Sequence, residues 1–120
     1  MSKPKILEMQ GTILYEDETG TTGNVTLSDS VANYDYIEIQ CRKPDFIYSS
    51  GKLYNVNGKT ISLNASYTTA THMYIYAKTI TINEKQINVV RTNLTYLNQS
   101  GNALATDDSN FITRVVGYRK

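Results

Sequence analysis

Between Ile37 and Arg42 the chain alternates without a break: Ile37, Ile39 and Cys41 are apolar, while Glu38, Gln40 and Arg42 are polar. A repeat of two is that of an extended strand, whose successive side chains point to opposite faces, and it does not fit a helix face. The segment therefore reads as a strand with one side on a core, and Cys41 as a small buried apolar residue. The same period recurs along the chain. Ile6–Met9 and Thr12–Tyr15 read as strands around Gly11, which marks a bulge or a break. Asn24–Ser28 alternates Val25 and Leu27 with polar neighbours, and Ser28–Asn33 suits one helical turn capped by Ser28. From His72 to Ile82, Met73, Ile75 and Ala77 point one way and Tyr74, Tyr76, Ile80 and Ile82 the other. Asn83–Gln86 then turns the chain into Ile87–Val90, a hairpin, with Arg91–Leu97 as a further strand and Phe111–Tyr118 as a final one.

Asn57-Gly58, between Leu53–Val56 and Lys59–Leu63, is a strong hairpin signal. A type I′ turn there predicts Val56 opposite Lys59 and Tyr54 opposite Ile61, with Tyr54, Val56, Ile61 and Leu63 on one face. Pro44-Asp45 ends the Ile37 strand, and Ser49-Ser50-Gly51 opens a turn. Glu16–Gly23 and Asn98–Asn110 are polar and read as exposed loops. About eight short strands in 120 residues predict a single all-β domain over 1–120, an antiparallel β-sandwich or jelly-roll-like fold. Composition agrees, with ten Tyr, two Phe and no Trp in a chain rich in β-branched residues.

Chemistry is thinly supplied. Cys41 and His72 are each alone, which excludes an internal disulfide and a cysteine zinc site, and no metal or other cofactor is expected. A Ser–His–acid arrangement would have to use His72, and no nucleophile-elbow pattern lies near it, so the chain is not expected to be an enzyme. The acids gather in the loops, at Glu16-Asp17-Glu18 and Asp107-Asp108, as solvated charge, with a calcium site as the alternative. Lys and Arg number 12 against 11 Asp and Glu, a balance that supplies no broad positive field for nucleic acid or anionic membrane. No apolar run approaches the ~20 residues of a membrane span. Met1–Gln10 carries Glu8 and forms no apolar signal-peptide core, so synthesis in a cytosol without secretion is expected.

Three blocks carry a resemblance. Leu14-Tyr15 followed after a polar gap by Gly23–Ile39 (GNVTLSDSVANYDYIEI), then Tyr54–Leu63 (YNVNGKTISL) and Phe111–Lys120 (FITRVVGYRK), occur in that order. Together they resemble small all-β modules of phage and prophage tail proteins of Gram-positive bacteria, found alone or as the C-terminal part of tail-fibre and minor structural proteins. The resemblance implies a virion structural protein made in the bacterial host cytoplasm, with other tail proteins as partners and symmetric assembly, often as a homotrimer. It transfers no catalytic residue. Recognition of a host surface glycan is the expected fibre role, by ring stacking and by Asn, Asp and Thr groups on hydroxyls, with copies adding avidity. Tyr48, Tyr67 and Tyr96 border the expected loops and are the candidate contacts. The alternatives are a connector or capsid decoration protein without glycan binding and, remotely, a small hydrolase.

Overall fold

A computed structural model describes residues 11–98, 101–107 and 109–119. Ten strands form two antiparallel five-stranded sheets, and no α-helix occurs among the described residues. The strands are β1 (Thr12–Thr21), β2 (Val25–Thr26), β3 (Tyr36–Lys43), β4 (Phe46–Ser49), β5 (Leu53–Tyr54), β6 (Lys59–Thr68), β7 (His72–Asn83), β8 (Gln86–Asn98), β9 (Gly101–Thr106) and β10 (Phe111–Tyr118). The first sheet runs β1-β10-β3-β4, with β5 extending the β4 side of β3; the second runs β2-β8-β7-β6, with β9 also on β8. This is the expected sandwich-like all-β arrangement. The expected strand Ile6–Met9 lies outside the described residues.

The core is where the two period-two faces meet. Ile37, Ile39 and Cys41 of β3, Ile112 and Val115 of β10 and Leu14 of β1 pack against Leu63, Ile80, Ile82 and Ile87 of the second sheet. Val25, Leu27, Val31 and Val56 complete the same cluster. Removing such a side chain from water stabilises the fold by roughly 1.5–3 kcal/mol. In β10 the register slips between Ile112–Cys41 and Arg114–Gln40. This slip leaves Thr113 as an extra residue whose hydroxyl donates to the Gln40 carbonyl at 3.2 Å, and it keeps Ile112 and Val115 both buried.

Several expectations need correction. Glu16–Gly23 is not a loop, because β1 continues to Thr21 through an irregular pairing with β10 between Glu16 and Thr21. The helical turn is a single 3₁₀ turn, Val31–Asn33, capped by Ser30 rather than Ser28; the Ser30 hydroxyl accepts from the Ala32 N–H. Phe46–Ser49, read only as chain between two turns, is strand β4 on the edge of β3. Ile87–Val90 and Arg91–Leu97 form one strand, β8, in which a register slip at Val90 absorbs the irregularity. Asn98–Asn110 is not an exposed loop: β9 pairs with β8, and Asp107 and Asn110 are buried.

Asn57-Gly58 does turn the chain, with the Lys59 N–H on the Val56 carbonyl at 2.9 Å, but it builds no hairpin. Gly58 has φ 79° while Asn57 stays negative, the φ signs of a type II rather than a type I′ turn. The turn links the two sheets: β5 pairs with β3, placing Tyr54 beside Tyr36, and β6 pairs with β7, placing Ile61 beside Ile80. Tyr54 is therefore exposed and does not share a face with Ile61 and Leu63. The β7–β8 hairpin is as expected, closed by Asn83–Gln86.

Gly117 of β10 lies under the Tyr34 ring, where an added Cβ would stand 2.6 Å from two ring carbons. Backbone on one side and a packed ring on the other leave that atom little room to move away. Gly117→Ala should lower the unfolding free energy by about 1–3 kcal/mol, the usual cost of overpacking, read as a reduced urea midpoint at unchanged slope.

Candidate functional site

β7 presents its inward face in the order Ile82, Ile80, Lys78, Tyr76, Tyr74, and the surroundings change along that line. Ile82 and Ile80 sit in the aliphatic core. Lys78, one pleat further, is fully buried. Around it lies a polar cluster drawn from both sheets. Lys43 Nζ contacts Asp107 Oδ1 at 2.6 Å and Ser109 Oγ at 2.9 Å, and sits 4.2 Å from the centre of the Tyr76 ring. Asp107 is fastened to β8 by backbone and side chain: its N–H donates to the Thr92 carbonyl at 3.1 Å, and the Thr92 hydroxyl donates to the Asp107 carbonyl at 2.6 Å. Thr92 is the direct cross-strand partner of Lys78. The Tyr48 hydroxyl donates to Asn110 Oδ1 at 2.7 Å. Tyr48 also stands opposite Cys41 in the β3–β4 ladder.

Burial governs the titration of this cluster. It lowers the Lys78 pKa from its ordinary value, with Cys41 and Asp107 acting against the shift and Lys43 adding to it. Burial pushes the Cys41 thiol up to about 11, opposed by a hydrogen bond with Tyr48 and the charge of Lys78. The Tyr48 hydroxyl is raised much further by burial, with Cys41 contributing, so it remains a donor at any physiological pH. Lys78 Nζ, Asp107 Oδ2 and Asn110 Nδ2 are buried with no hydrogen-bond partner among the described residues. Asp107 is thus not the solvated loop acid expected, because its carboxylate is buried and ion-paired with Lys43; Asp108 lies outside the described residues. On β1, Asp17 Oδ1 accepts from the Thr19 hydroxyl at 2.7 Å. Among the described residues no group of three or more His, Cys, Asp and Glu side chains is placed to hold a metal ion.

Beyond Tyr76 the second sheet carries a row of rings. Tyr67 of β6, Tyr74 of β7 and Tyr96 of β8 are directly opposite one another. Their centroids are 6.0 Å apart for Tyr67–Tyr74 and 6.2 Å for Tyr74–Tyr96. Phe46, at the β3–β4 turn of the first sheet, reaches this end, 6.1 Å from Tyr67 and 5.8 Å from Tyr76. His72 stacks on Tyr74 at 5.8 Å, and its Nδ1 is 2.7 Å from the Thr71 hydroxyl. The Thr68–Met73 turn with Leu97 lines an open hollow at the end of these strands. The opposite face of these strands is apolar too. Ile75 lies across Thr95 from Leu104, and Met73 lies opposite Leu97. Met73, Ile75 and Leu104 are exposed, Leu104 by 71%.

Of the three candidate contacts, Tyr67 and Tyr96 thus flank one site, whereas Tyr48 is set in the interior with its hydroxyl committed to Asn110. Tyr74 is the residue that sequence reasoning left out; its even spacing from Tyr76 and Ile80 was the available signal. No family model matches the chain, and neither a curated protein nor a solved structure does.

Lys43→Met leaves the Asp107 carboxylate buried without its counter-ion. The expected loss of stability is about 3–5 kcal/mol, measured by urea unfolding, against a change within about 0.5 kcal/mol for Lys85→Met on the exposed β7–β8 turn.

Proposed function

We propose that the chain is a structural subunit of a phage or prophage tail that self-associates through the far half of its second sheet. The supporting observation is that this half carries exposed apolar side chains on both faces: Tyr67 on one, Met73, Ile75 and Leu104 on the other. Exposed apolar side chains on both sides of a sheet mark an interaction surface, and a second copy of the same chain supplies a self-complementary one. The resemblance to tail modules points the same way. Its first and last blocks supply the first half of β3 and all of β10, paired strands at the centre of the first sheet.

Light scattering on the purified protein should report a stable oligomer. The double variant Ile75→Lys/Leu104→Glu should be a folded monomer, since both side chains face outward and neither touches the core. A monomeric wild-type protein would overturn this reading.

A second reading rests on the tyrosine row. Rings spaced about 6 Å apart, on strands β6 and β7 whose connection carries Thr69 and Thr71, suit the stacking and hydrogen bonding of a saccharide from the host surface. A glycan array probed with the protein should then give signals that fall at least about tenfold in Tyr67→Ala and Tyr96→Ala, the factor expected for losing ~1.4 kcal/mol of contact. The same signals should persist in Tyr36→Ala, whose ring stacks at 4.8 Å on Tyr118 in the other sheet. An array without signal from the intact protein would remove the reading.

A further inference from the structure

The polar cluster between the sheets holds an amine, a carboxamide and a carboxylate that the packing leaves incompletely satisfied. Lys78 and Asn110 are both fully buried, and neither Lys78 Nζ nor Asn110 Nδ2 has a hydrogen-bond partner among the described residues. A lone buried amine and a lone buried amide group each cost free energy, so their occurrence in one cluster calls for a physical reason. The connections bring them to one place. Lys78 pairs with Thr92, Thr92 holds Asp107 through two hydrogen bonds, and Asn110 follows Asp107 by three residues, immediately before β10. From the opposite sheet, Tyr48 donates to Asn110 Oδ1 at 2.7 Å.

We propose that Lys78 and Asn110 join in an intramolecular isopeptide bond that ties β7 of the second sheet to the residue immediately before β10 of the first. Each group is suited to a part in the reaction. Burial favours the neutral amine of Lys78, the form that has a free electron pair. The Tyr48 hydroxyl polarises the Asn110 carbonyl and is placed to hold the negative oxygen that forms on attack. Lys43 occupies Asp107 Oδ1 at 2.6 Å, while Oδ2 remains without a partner. That oxygen is the proton carrier. In the step itself Lys78 Nζ bonds to Asn110 Cγ and the Cγ–Nδ2 bond breaks. One amine proton passes to Asp107 Oδ2 and on to the departing nitrogen. A secondary amide and one ammonia result, the carboxylate is regenerated, and no oxidant or other co-reactant enters. Lys43 is not the nucleophile, because its Nζ is engaged by Asp107 and Ser109.

Intact mass spectrometry of the denatured wild-type protein is the test. The expected mass lies below the sequence mass by one ammonia, and proteolysis should release a branched peptide joining Lys78 to Asn110. Lys78→Met and Asn110→Ala should each restore the full sequence mass. Asp107→Ala should do the same, while a linked Asp107→Ala protein would overturn the role given to that carboxylate. Wild-type protein at full sequence mass, after prolonged incubation in its folded state, would overturn the bond, as would a deficit that maps to any other pair of residues. The wild-type measurement needs no variant to fold.

Discussion

The two sheets share one inner face but do not have equal lengths, and most of the molecule's character follows from that mismatch. β7 and β8 run for 12 and 13 residues, while β3 and β10 run for eight each. Where the sheets overlap fully, aliphatic side chains close a dry core. Where the shorter sheet ends, at the Pro44-Asp45 turn, the longer one continues with aromatic side chains that Phe46 only partly covers. The change from isoleucine to lysine to tyrosine along β7 follows this change of cover, residue by residue.

The middle zone is the costly one. Two ammonium-bearing side chains, Lys43 and Lys78, are buried within a single small domain, and desolvating a charge costs several kcal/mol before any partner is found. Lys43 recovers much of this through Asp107, Ser109 and the face of Tyr76. Lys78 has no such set of contacts, and its environment favours the uncharged amine. The two lysines thus meet the same cost differently: Lys43 has a carboxylate at 2.6 Å, whereas burial lowers the pKa of Lys78. Ordinary packing would have placed leucine or methionine at the second position with less penalty.

Sequence reasoning located the strands whose alternation was long and regular: β3, β7, the start of β8 and β10. It also found the β7–β8 hairpin. It missed β4 and β9, because edge strands of four and six residues owe their pairing to a neighbour rather than to their own pattern. Asn57-Gly58 misled because a turn signal specifies a change of direction and says nothing about which sheet receives the outgoing strand. Lys78 was passed over because charge at an inward parity position looks like an exception to the pattern. Parity alone placed it between Tyr76 and Ile80, and its burial follows from that. Tyr67 and Tyr96 were chosen for their closeness to loops. They share a site because both pair with Tyr74, a relation between three strands that no local window contains.

The topology also orders assembly in time. β6, β7, β8 and β9 pair each with the next along the chain, so their ladders close through short turns at little entropic cost. The β3–β10 ladder joins Tyr36–Lys43 to Phe111–Tyr118, and that contact must wait for the intervening meander to shorten the effective loop. The second sheet's meander thus rests on pairings close in sequence, whereas β10, held between β1 and β3, rests on pairings that span most of the chain.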